Sequence, residues 1–287
     1  MGIDIHGLNF LMYARNKKAF GATLTIGRQG IHINESAVKE AIKTRLDYKK
    51  QDYCEGLLTE FFGANAVESI DNNVYEGATH IHNMNQPIPE NLTKKFDTVF
   101  DGGCLEHIFN VPQALENISL FVKKEGQIIH VLPANNFCGH GFYQFSPELF
   151  FSLYSKENGY AETEVYIADL TDNENWYQVK QPSNGQRVEL SSPSALYVLV
   201  RTVLIGDHFR HSNVMQSDYL YQWNSSIDDK KILATKRAGL KQRLKIPSLY
   251  KILFHIYLWY RRHKIRLIHQ KNPRLFKLKV RNCIESN

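Results

Sequence analysis

The 287-residue sequence predicts an α/β protein built on a doubly wound, seven-stranded, mostly parallel sheet. Two observations carry that prediction. Short β-branched runs alternate with longer helical stretches up to about residue 205, the pattern of a parallel sheet covered by helices. Glycines and polar residues follow most of these runs at their carboxyl ends, where doubly wound sheets place their ligands. The composition, 43% hydrophobic and 22% charged, is that of a chain able to bury a full core.

The strands read in order as Ala22–Ile26, Ala66–Ile70, Thr79–His82, Phe96–Phe100, Gln127–Leu132, Glu164–Ala168 and Ala195–Val203. Between the first two, Asn34 or Ser36 caps a helix carrying Ala37, Val38, Ala41, Ile42 and Leu46 at helical spacing. A second helix over Gly56–Phe62 stops at Gly63. Pro112–Lys123 starts on proline, has Ala114, Leu115, Ile118 and Phe121 on one face and closes at Lys123, Lys124 and Gly126. Ser146, Pro147 and Glu148 open a helix over Pro147–Tyr154. Asp207–Asp229, rich in His, Asn and Ser, reads as a loop. The domain reading is therefore 1–206 for the α/β body, 207–229 for a linker and 230–287 for a basic, aromatic-rich helical extension.

Charge is divided between these parts. From Lys230 onward there are 17 Lys and Arg and one acid, Glu285, leaving 18 basic and 28 acidic residues in the body. Cys54, Cys104, Cys138 and Cys283 form no CxxC pair and no zinc spacing, so neither a disulfide framework nor a metal is expected, and a reducing cytoplasm fits. Met1–Phe20 reads as neither an export signal nor a lipid anchor.

The segments after the strands are Gly27-Arg28-Gln29-Gly30, Asp71, Asn83-Met84-Asn85, Asp101-Gly102-Gly103-Cys104-Leu105-Glu106-His107 and Pro133-Ala134-Asn135-Asn136. With the following helix, Lys123–Gly126 and Gln127–Pro133, the run Phe96–His107 resembles the fourth and fifth strands of class I S-adenosylmethionine-dependent methyltransferases, over roughly Phe20–Val203. The resemblance implies a Rossmann-like methyltransferase fold and S-adenosylmethionine as cofactor. It places Asp71 on the ribose hydroxyls, Asn83, Met84 and Asn85 on the adenine edge, and Gly27, Asp101, Gly102 and Gly103 along the cofactor. One departure stands in the first loop, where the family's acid is Thr25 and Arg28 and Gln29 replace small residues.

His107 is a base, a residue ordering the cofactor loop, or a cap on its own helix. Asn135–Pro147 matches the family's acceptor region, with His140 the first choice of base and Tyr143 the second; as a purely structural loop it would instead plug the core with Phe137, Phe142 and Phe145. The function read from this is metal-free methyl transfer to an O or N atom of a small-molecule or glycan acceptor, the glycan coming from a resemblance to polysaccharide-pathway enzymes. The altered loop also motivates an inactive, methyltransferase-like scaffold. Ile246–Tyr260 is too short to span a bilayer and runs into a basic cluster, so 246–281 reads as a peripheral anchor on an anionic membrane face or as a packing or homodimer face. Nucleic acid is disfavoured, because no binding module appears.

Overall fold

The computed structural model describes residues 2–42, 51–206, 214–225, 253, 255–257, 259 and 275–285. In chain order the elements are β1 (Gly2–Ile3), α1 (Ile5–Lys17), β2 (Gly21–Ile26), β3 (Gly30–Ile31), α2 (Glu35–Ala41), α3 (Glu55–Phe61), β4 (Ala64–Asp71), β5 (His80–Ile81), β6 (Phe96–Asp101), α4 (Val111–Phe121), β7 (Val122–Asn135), α5 (Pro147–Leu153), β8 (Tyr160–Asp169), β9 (Asn175–Val179), β10 (Leu196–Leu204), α6 (Ser217–Asn224), β11 (Leu275–Lys279) and α7 (Val280–Glu285).

The main sheet has the order β11-β9-β8-β10-β7-β6-β2-β4-β5, and β1 pairs with β3 separately. From β5 to β7 every pairing is parallel, and the order turns back at β2, so the switch point lies between β2 and β6. β10 lies antiparallel between β7 and β8. The seven strands from β5 to β8 are the seven expected from sequence. With β10 the antiparallel member inserted between β7 and β8, these seven give the Rossmann-like methyltransferase fold. β9 and β11 extend it antiparallel beyond β8.

Two hydrophobic layers cover the sheet. Ile118, Phe121, Phe150 and Tyr160 belong to one, and Phe10, Phe20, Leu57 and Trp176 to the other. Helix α1 was not anticipated. Asp4 caps it through Gly7 N, and its residues from His6 to Leu11 are all buried, so it has no polar stripe to betray it. Its Phe10 and Tyr13 rings meet Tyr166 and Trp176.

Several sequence-based bounds are corrected. α4 ends at Phe121 rather than Lys123, because Val122 already pairs with Phe96 and begins β7. Asn34 is the cap of α2, accepting from Ala37 N; the continuation to Leu46 lies outside the described residues. Within 207–229, read as a loop, Ser217–Asn224 is helical. Of the extension, 275–279 is a strand on β9 rather than a helix, while 280–285 is helical and contacts α1. Most of 230–274 lies outside the described residues.

Candidate active site

The register brings the ends of three strands, and the middle of a fourth, into one row. Ile26 at the end of β2 pairs with Ile70 of β4 on one side and Asp101 of β6 on the other, and Asp101 pairs with His130 of β7. One residue further on, Gly27, Asp71 and Gly102 therefore stand side by side. Gly27 adopts a φ of +70°, which favours glycine, and donates to Ile70 O at 2.7 Å. Asp71 is half-buried, one carboxylate oxygen accepting from Asn72 N.

Arg28 and Gln29 part company at this loop. Arg28 points to Glu55 (2.6 Å), stacks on the Tyr53 ring and donates to Glu76 O. Gln29 is fully buried; its Nε2 donates to Ile26 O, and its Oε1 has no partner. A Cβ on Gly102 would lie 2.6 Å from that Oε1, so any larger residue here would displace the Gln29 amide. Met84 is a core residue whose carbonyl accepts from Asn117, and Asn83 closes a local turn by accepting from Asn85 N.

Asp101 organises the loop after β6. One oxygen accepts from Cys104 N and Leu105 N; the other faces His130 Nδ1 at 3.0 Å, and His130 Nε2 lies 2.7 Å from the Tyr154 hydroxyl. All three side chains are buried, so each polar atom of this relay needs the next. Burial pushes the Tyr154 phenol well above its usual range.

The capped loop enters a 3-10 turn over Leu105–His107 that buries Glu106 at 1% exposure. Glu106 Oε1 lies 3.3 Å from His140 Nε2 and 3.9 Å from His107 Nε2, and Oε2 has no partner. Burial, and next the negative charge of Asp101, push this carboxyl up to about 8. Burial, and next the neighbouring His140, lower the pKa of His107. The two imidazoles stand edge to face at 5.0 Å and remain exposed on their outer sides.

The loop after β7 is fastened to the same turn, since Glu106 O accepts from Phe142 N and Tyr143 N. Of the sequence-predicted bases, His107 and His140 come together, whereas the Tyr143 hydroxyl is spent on Phe109 O at 2.8 Å. Phe145 is core, but Phe142 is 70% exposed and meets the exposed Phe109 edge to face. Glu106 and His130 were missed as site residues. The only signal for Glu106 was its place in the Cys104–His107 run, and His130 is a lone polar residue within an apolar strand.

No family model and no curated protein matches this chain. Solved structures similar to it include a branched-chain polyamine synthase from Thermus thermophilus in complex with 5'-methylthioadenosine (14% identity, TM-score 0.38, 74% of this chain and 58% of that one). The chain thus spans less than two thirds of that protein. Others are a 1,6-didemethyltoxoflavin-N1-methyltransferase from Burkholderia thailandensis with S-adenosylhomocysteine (12%, TM-score 0.36, 70% and 78%) and the N-methyltransferase NodS from Bradyrhizobium japonicum (13%, TM-score 0.36, 69% and 93%). The strand order itself sets the fold class as the Rossmann-like methyltransferase type.

Proposed function

We propose that this chain is an S-adenosylmethionine-dependent methyltransferase acting on an O or N atom of a small-molecule acceptor. The observation that carries the reading is the single row that sets Gly27, Asp71 and Gly102 beside one another, with the Glu106–His140 pair on the next loop. These residues suit the cofactor. Asp71 offers a carboxylate for ribose hydroxyls, and the unpaired Gln29 Oε1 is a buried acceptor matched to the cofactor's ammonium group. When bound, the cofactor supplies an electrophilic methyl group on sulfur.

The protein's part is to position the acceptor and take its proton. His140 Nε2 lies 3.3 Å from Glu106 Oε1, so the Glu106 carboxyl, held by its turn, keeps that imidazole oriented and leaves Nδ1 to take the acceptor's proton. Phe109 and Phe142 at the mouth provide apolar ring faces, which supports a glycan as the narrower acceptor class.

No helix among the described residues is long and apolar enough to cross a membrane. Exposed Leu253, Ile256, Tyr257 and Trp259 support peripheral attachment of the extension to an anionic bilayer.

Calorimetric titration with S-adenosylmethionine and S-adenosylhomocysteine tests the central reading. Micromolar binding, weakened at least about tenfold by Asp71→Ala for loss of the ribose hydrogen bonds, is the expected outcome. Absence of binding to both ligands would discard it in favour of the scaffold, with Gln29 as permanent filling of the cleft.

A further inference from the structure

We propose that Glu106, His107 and His140 bind one divalent first-row transition cation, which holds an oxygen of the acceptor at the open side of the cluster. Each residue offers one ligand atom, and the three atoms lie within 4.8 Å of one another. Around a metal with bonds of about 2.0–2.2 Å, neighbouring ligand atoms sit roughly 3.0–3.5 Å apart. The Glu106–His140 distance of 3.3 Å already has that value, whereas the Glu106–His107 distance of 3.9 Å and the His107–His140 spacing, within 4.8 Å, need an inward turn of the exposed His107 ring.

A plain carboxyl–imidazole hydrogen bond accounts for less. It uses one oxygen of Glu106 and one imidazole, leaving Oε2 unpartnered in a side chain at 1% exposure and a second imidazole drawn to the same oxygen. A cation satisfies both.

The ligands are held as a metal site requires. Glu106 and His107 are adjacent in a turn capped by Asp101, and His140 N donates to Phe137 O in a loop fastened to Glu106 O. Two imidazoles and one carboxylate form a donor set for Mn²⁺, Co²⁺, Fe²⁺ or Zn²⁺ rather than an all-oxygen cage for Mg²⁺ or Ca²⁺. The outer sides of both rings are exposed, so coordination positions stay open to an incoming ligand. A cation there lowers the pKa of a bound hydroxyl and so selects an oxygen acceptor over an amine. That acceptor role rests on the methyltransferase reading, and in it His140 is a ligand rather than the proton-taking base, whose place is taken by the lowered pKa of the bound hydroxyl; the metal site itself rests on neither.

The test uses the full chain after chelator treatment, titrated with Co²⁺ and followed by its visible d–d absorption, with S-adenosylhomocysteine binding measured separately by calorimetry. One equivalent of Co²⁺ with intensified absorption is expected, and Glu106→Gln, His107→Ala and His140→Ala should each weaken binding tenfold or more. His107 and His140 are exposed, so their variants keep the fold, which circular dichroism verifies. The spectrum of free hydrated Co²⁺, or binding unchanged in all three variants, would overturn the site. Cobalt binding without cofactor binding would retain the metal site and remove the methyltransferase reading; the converse would do the opposite.

Discussion

Glu106 is the residue on which the site turns, and its environment sets a pH dependence. Its carboxyl is raised to about 8 in the folded chain, against about 4.5 for an ordinary carboxyl, so folding takes up a proton there. Its stabilising contribution is complete below pH 4.5 and is lost as the pH rises through 8, by up to about 1.4 kcal/mol for each unit of displacement. With chelator present, Glu106→Gln should match the parent's melting temperature near pH 4.5 and exceed it increasingly towards pH 9. A constant difference across that range, read by differential scanning fluorimetry, would contradict a raised carboxyl. Nothing in the sequence marks this residue as buried, because Glu is almost never fully buried without a partner. His140 was legible from its loop, but its proximity to Glu106 depends on how two separate strand ends are aligned.

At the scale of elements, legibility followed hydrophobic pattern. β2, β4, β6, β8 and β10 are β-branched runs anticipated to within a few residues, whereas β7 begins five residues earlier, at Val122, than the expected Gln127. α1 was hidden by burial on nearly every side, and β11 by the two lysines of LFKLK, which read as part of a basic tail. Between α1 and the sheet runs a polar network that no local pattern announces. Arg201 of β10, 2% exposed, bonds Gln127 at 3.0 Å and lies 3.6 Å from Glu164, whose other oxygen accepts from the Tyr13 hydroxyl. Tyr166 in turn donates to Tyr13. Removing the cation leaves the half-buried Glu164 without its charge partner. Arg201→Ala should therefore cost about 3–5 kcal/mol in urea unfolding. The double change Arg201→Met with Glu164→Leu should recover only part of that loss, because it leaves the buried Gln127 amide oxygen and the Tyr13 hydroxyl without those partners.

For the whole molecule, the extension is joined to the body at its far end. β11 completes the β9 edge, Val280 and Cys283 are buried against α1's layer, and Lys279 and Lys277 face Glu174 and Asp172. The ion pairs are exposed and contribute little; the covered edge contributes more. A chain ending at Arg274 should melt at a lower temperature and associate with rising concentration in light scattering, since β9 would present an open edge. Unchanged melting and a monomeric profile would show that the edge needs no cover. The contact between α1 and α7, where the Asn16 amide donates to Ile284 O, also imposes an order in time. Its partners are 268 residues apart, so on a ribosome α1 emerges on the order of tens of seconds before the segment that completes its packing. The nascent chain must hold α1 on an unfinished face throughout that wait.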